Sequence, residues 1–218
     1  MKIITRRDYG KVIAAAVAIT AYYLSGIQVN HPVELSEPVD LLQANPLESS
    51  PSASLKLADL TWLEVRDHIR HGDNRIIVPT GGIEQNGPFV VLGKHDLIVE
   101  TLSLKLAAEL GKTLVAPTIS FVPQGDILPP SMHMRYPGTI SLSEAHFKEL
   151  LQDTTMSLAA GGFQEIFILG DSGPSQNSMA EVSKALDRSP QVRGARVIFV
   201  PEFYDYDSIR ALLREGGI

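Results

Sequence analysis

Arg75-Ile76-Ile77-Val78-Pro79-Thr80-Gly81-Gly82-Ile83-Glu84-Gln85-Asn86-Gly87-Pro88 is the stretch on which the fold turns. Ile76, Ile77 and Val78 are consecutive apolar residues, so both faces of this segment need cover, and Arg75–Pro79 reads as an interior strand. The glycines then break it, and acid and amide side chains follow directly. The pattern recurs at Thr113-Leu114-Val115-Ala116-Pro117, Glu165-Ile166-Phe167-Ile168-Leu169 and Arg196-Val197-Ile198-Phe199-Val200. Helical spacing fills the intervals. Leu60, Leu63, Val65 and Ile69 fit a first helix behind Thr61 as N-cap. Leu97, Ile98, Leu102, Leu104 and Leu106 mark an amphipathic helix over Asp96–Leu110, stopped by Gly111. Ser143 opens another that runs to Ala160 and ends at Gly161-Gly162. Apolar strands alternating with helices predict an α/β fold, three-layer α/β/α with a mainly parallel sheet.

Composition sets outer limits. The chain has 218 residues, with 19 Lys+Arg against 25 Asp+Glu, a formal charge of −6 and 44% hydrophobic residues. That suits one globular domain with an appendage and excludes a disordered chain. Zero cysteines exclude disulfides, Cys-based zinc sites and thiol nucleophiles. The acidic balance argues against nucleic acid as a partner, since phosphate binding needs a basic face.

The start of the chain reads separately. Lys2, Arg6, Arg7 and Lys11 precede an apolar run from Val12 to Leu24 that only Thr20 interrupts. A basic start before a short apolar core is the pattern of an export signal, and Thr5-Arg6-Arg7-Asp8-Tyr9-Gly10-Lys11 resembles a twin-arginine signal. Residues 1–26 are therefore expected to be an export signal or an N-terminal membrane anchor. Residues 27–57, broken by His31-Pro32, Glu37-Pro38, Asn45-Pro46 and Ser50-Pro51, are expected to form a Pro/Ser-containing tether, and 58–218 the α/β domain. The expected location is exported, periplasmic or membrane-tethered on the outer side.

Sites in open parallel sheets form beyond the carboxyl ends of the strands. Three loops qualify: Gly81–Pro88 continuing to Gly93-Lys94-His95-Asp96, then Gln124 through His133 to Thr139, and Gly170-Asp171-Ser172-Gly173-Pro174-Ser175-Gln176-Asn177. Glu84, His95, Asp96, His133 and Asp171 supply oxygen and nitrogen donors suited to a divalent metal, which would acidify a bound water. Each has a plain structural alternative. Glu84 serves equally as a cap on backbone amides, Asp96 as the opening acid of a helix, His133 as a packed loop histidine and Asp171 as a turn former. His68, His71 and His146 fall on solvent-facing helix positions or helix ends, and His31 lies in the tether; none is assigned a role.

Leu60-Thr61-Trp62, the block Val78–Pro88, and His133-Met134-Arg135-Tyr136-Pro137-Gly138-Thr139-Ile140-Ser141 together resemble the creatininase (creatinine amidohydrolase) family over roughly residues 58–210. The resemblance implies a three-layer α/β fold, frequent assembly as homo-oligomers, and hydrolysis of the C–N bond of small cyclic or linear amides with one or two divalent metals, commonly Zn or Mn, with Fe a further option. The family's metal-binding pattern is a glutamate, a histidine two residues on and an aspartate about nine further. Here Glu84 fills the first position, Asn86 the second and His95 the third, with Asp96 adjacent. After the third strand the family's ligand histidine corresponds to Ser172, and a further glutamate to Pro174. Family members usually run on past the fourth strand, so this chain is expected to be a C-terminally short member, either truncated or lacking the last layer. Three outcomes stay open. One is a rebuilt mononuclear site in which Glu84, His95 and Asp171 hold metal while Asn86, Asp96, His133 and Ser172 serve catalysis. Another is a non-catalytic binding protein tethered outside the membrane. The last makes Ser172 an esterase nucleophile, which would need a base oriented by a third group.

Overall fold

The computed structural model describes residues 53–206 together with 210 and 214. The expected signal or anchor (1–26) and the tether up to residue 52 lie outside the described residues. No helix among those described is long and apolar enough to cross a membrane.

Four strands form one sheet: β1 (Arg75–Thr80), β2 (Thr113–Val115), β3 (Glu165–Gly170) and β4 (Arg196–Phe199), in the order β2-β1-β3-β4 with every pairing parallel. The residues expected to be strands are the strands. Their alternate side chains feed two cores, as a doubly covered sheet requires. Ile76, Val78, Ile166 and Ile168 join one cluster; Ile77, Val115 and Leu169 join the other. Helix α1 (Trp62–Arg70) and helix α3 (Glu144–Ala160) contribute to the first, through Val65 and Ile69 and through Phe147, Leu151 and Ala159. Helix α2 (Lys94–Leu110) covers the opposite face with Val99 and Ala107. The fold is three-layered α/β/α.

Local signals are met closely. Thr61 caps α1 in a reciprocal capping box with Glu64, and the hydroxyl of Ser143 accepts from His146 N–H at the start of α3. Three features depart from the sequence reading. A helix α4 (Gln176–Leu186), unmarked by strong apolar spacing, links β3 to β4 and buries Met179, Val182 and Leu186. His68 is buried rather than solvent-facing, with Nδ1 2.8 Å from Asp73 Oδ2. Helix α2 turns His95, Val99, Ser103 and Ala107 inward, one narrow stripe at four-residue spacing. Its leucines Leu97, Leu102, Leu106 and Leu110 are exposed.

The end of the tether meets the sheet. Val115 N–H donates to Leu55 carbonyl at 2.8 Å, and Lys56 bridges in parallel to Val115. The site depends on the centre of the sheet. β1 and β3 are neighbours in register, Thr80 opposite Gly170, so the chain leaves both at the same height and in the same direction. Their following loops are thereby brought side by side.

Candidate functional site

Gly81 and Gly82 open the loop after β1, and their lack of side chains is a packing requirement. A Cβ on Gly81 would collide with Asp96 Oδ1 and lie 2.8 Å from Asp96 Cα; one on Gly82 would lie 2.5 Å from Gln124 Nε2. The close approach lets Asp96 Oδ1 accept from Gly82 N–H at 2.8 Å. Asp96 thus ties the first loop to the first turn of α2. Farther along, Glu84 N–H donates to Leu92 carbonyl at 3.1 Å, and Ile140 N–H donates to Ile83 carbonyl at 2.9 Å, joining the second loop to the first.

This framework brings Glu84, His95 and Asp171 into one buried chain. His95 Nδ1 lies 2.7 Å from Asp171 Oδ2, and His95 Nε2 lies 2.7 Å from Glu84 Oε1. All three residues are almost fully buried. The ring's pKa is raised to about 9: burial opposes the charged form, but the hydrogen bonds to Asp171 and then Glu84 outweigh it. Both ring nitrogens therefore carry protons at neutral pH, one donated to each carboxylate. The other oxygen of Glu84, Oε2, is buried with no hydrogen-bond partner among the described residues, and His133 Nε2 faces it at 3.8 Å. His133 is half-buried, in a short 3₁₀ turn (Met132–Arg135), with Nδ1 3.2 Å from the Gln85 carbonyl and 3.3 Å from the Gln85 side-chain amide. With an N–H at Nδ1 donating to the carbonyl, Nε2 is the acceptor in the neutral ring; with the side-chain amide donating to Nδ1, Nε2 carries the proton instead.

The remaining expected residues stand around this chain with other partners. Asn86 turns back onto its own loop, Nδ2 donating to Glu84 carbonyl at 3.0 Å. Ser172 Oγ accepts from Gln124 Nε2 at 3.2 Å, and no described hydrogen bond joins it to a histidine. That arrangement lacks the base a nucleophilic serine needs, so the esterase expectation finds no support. Asp171, Ser172 and the turn after them are held by Gln176, whose Nε2 donates to the carbonyls of Gly170 and Ser172, each at 3.0 Å.

Three contributors were not read from the sequence. Tyr206 Oη donates to Asp171 Oδ1 at 2.6 Å, and Tyr204 packs edge-on against Tyr206 with ring centroids 4.9 Å apart. Burial, then the hydrogen bond and charge of Asp171, hold the Tyr206 phenol far above its ordinary pKa, so it is a donor and not a phenolate. Burial and the charges of Asp171 and Glu84 also raise Tyr204. The strand-end rule applied to β4 would have found both. Gln124, the third, is wholly buried and its Oε1 has no hydrogen-bond partner among the described residues. It follows β2 at the head of a loop already under suspicion.

The expected metal set of Glu84, His95 and Asp171 therefore meets in space, but as a hydrogen-bonded chain with the imidazole in the middle. Among the described residues, no group of three or more His, Asp or Glu side chains is arranged to hold a metal ion. The donors do not fit a divalent cation in this arrangement.

Comparison with known proteins places this architecture. The family model for creatininase (creatinine amidohydrolase) matches residues 58–212. A creatinine amidohydrolase of Pseudomonas putida is 28% identical over 128 residues, which is 59% of this chain and 48% of that protein. Among solved structures, a mutant creatininase superposes with a TM-score of 0.63 at 22% identity, and a manganese creatininase with 0.60 at 24%. Each alignment covers 74% of this chain and 65% of the other. The chain thus spans about half the length of its curated relative. The matched segment takes in all four strands and the three loops that carry Glu84, His133 and Asp171, and on that ground the chain belongs to the creatininase family.

Proposed function

We propose that this chain is a small-molecule hydrolase acting on a C–N bond of an amide or cyclic amide, at the facing side chains of Glu84 and His133. The observation that carries the reading is the unpartnered, buried Glu84 Oε2 facing His133 Nε2 at 3.8 Å, backed by the chain Glu84–His95–Asp171. A buried polar atom without a partner is a position where a ligand or water belongs. A water donating to both Glu84 Oε2 and His133 Nε2 would be aligned for attack on a carbonyl carbon. His133 Nε2 takes its proton as the new C–O bond forms, then delivers that proton to the nitrogen as the C–N bond breaks. Amide and water become acid and amine, and His133 returns to its starting state. His95 and Asp171 hold the Glu84 carboxylate in place, with Tyr206 bracing Asp171 from behind.

The solved and curated relatives, named as creatininases and creatinine amidohydrolases, support the bond type. The test is a panel of small amides and lactams, creatinine included, incubated with the full chain and followed by NMR for released amine and carboxylate. Turnover of at least one compound, reduced about 100-fold or more in Glu84→Gln and in His133→Ala, is the expected result. A second reading, a non-catalytic small-molecule binding protein, rests on Asn86 and Ser172, which stand where the resemblance expects ligand histidines and are engaged with Glu84 carbonyl and Gln124. Saturable binding with no turnover across the panel would select it.

A further inference from the structure

We propose that the His95 ring occupies the place a divalent cation would take here, and that the site works without a resident metal. Two carboxylates on one metal ion must bring an oxygen each to about 2.0–2.2 Å from it, so those oxygens lie no more than about 4.4 Å apart. Here Glu84 Oε1 and Asp171 Oδ2 each hydrogen-bond to a different nitrogen of one imidazole, at 2.7 Å, with the ring between them. The two contacts leave the ring from opposite corners, which holds the oxygens farther apart than a shared ion allows. Neither nitrogen keeps a free lone pair, so His95 cannot serve as a ligand without breaking a buried hydrogen bond.

The neighbouring positions close the same door. Asn86, where the resemblance expects a ligand histidine, spends its amide on Glu84 carbonyl. Ser172, at the other expected histidine, is taken by Gln124. Pro174 has no donor to offer. Asp96 Oδ1 is taken by Gly82 N–H and Asp171 Oδ1 by Tyr206, which leaves Glu84 Oε2 and His133 Nε2 facing each other, and two donors fall short of the three protein ligands of a catalytic zinc site. His95, reaching in from the first turn of α2, thus links the β1 and β3 loops, the task a shared ion would perform.

This inference concerns the site described above but is separable from the hydrolase reading. Metal content decides the first, and turnover by metal-free chain decides the second. The full chain, without an affinity tag, is incubated with zinc or manganese salt, desalted and assayed by mass spectrometry of the metals, beside Glu84→Gln. The expected result is less than about 0.1 equivalent, or metal retained equally by Glu84→Gln, which marks surface histidines such as His71 or His146 as its source. Thermal melting with each salt should match melting with EDTA. A near-stoichiometric metal lost in Glu84→Gln overturns the proposal, as does a metal-induced rise of about 5–10 °C, the shift expected for a chain of this size with the ion at 100 times its Kd.

Discussion

At the scale of single residues, His95 is the position whose chemistry is most altered by folding. Its pKa moves from an ordinary 6.5 to about 9, so the folded chain holds that proton more tightly than the unfolded one. The stabilisation is therefore complete below about pH 6.5, fades as pH rises toward 9, and is absent above it. At about 1.4 kcal/mol per pKa unit, the change across that window is on the order of 3 kcal/mol. Urea unfolding of the full chain at pH 6 and pH 9.5 measures it, and His95→Gln should lack the difference. Equal pH slopes in the two proteins would show that the ring is not bound between charged carboxylates. Which partners these residues would find was only partly legible in the sequence. Glu84, His95 and Asp171 were singled out because they follow strand ends, yet their chemistry is set by contacts from 11 and 76 residues away.

At the scale of elements, strands were easier to read than helix faces. Ile76–Val78 and Ile166–Leu169 are apolar without interruption because both sides of the sheet are covered, and no other element tolerates so short an apolar run. Helix α2 has nearly the expected bounds, but most of its apolar residues lie outside its contact stripe. Its contact stripe uses small residues, Ser103 and Ala107, which let the helix lie close to the sheet; of the leucines that gave the amphipathic signal, Leu104 packs against the core while Leu97, Leu102 and Leu106 are exposed. Helix α3 shows the ordinary case, burying Phe147 and Leu151 completely. Leu151→Ala should cost about 2–5 kcal/mol by leaving a cavity, whereas Leu150→Ala, one residue away at 38% exposure, should cost well under half as much. Chemical denaturation of the two variants checks the register of the helix, and equal losses would contradict it.

At the scale of the whole molecule, the exposed leucines of α2 stand out. Leu102, Leu106 and Leu110 recur every four residues and are 41%, 40% and 50% exposed, an apolar row along one helix. Such a row is a place to test for association. The homo-oligomer expected from the family resemblance accordingly gains a physical candidate for its interface. Light scattering of the full chain should give a mass above that of one copy. Leu102→Lys combined with Leu106→Lys should reduce it toward the monomer, with the melting temperature of the single domain preserved. An unchanged mass in that variant would remove α2 from the interface.

The sequence by itself determined the α/β class, the four strands, most of the helices, and the family through its Glu-Gln-x-Gly-Pro and Tyr-Pro-Gly-Thr blocks. These are local properties: apolar period, caps and turn residues act within one element and are written in consecutive positions. It also pointed to the loops that form the site, because strand direction alone sends them to one end of the sheet. Only the tertiary structure decided what those loops make. Whether Glu84, His95 and Asp171 converge on an ion or enclose a ring depends on the parallel register of β1 with β3 and on the first turn of α2 entering between their loops. Distances of that kind are set by packing across the whole domain, and residue spacing along the chain does not encode them.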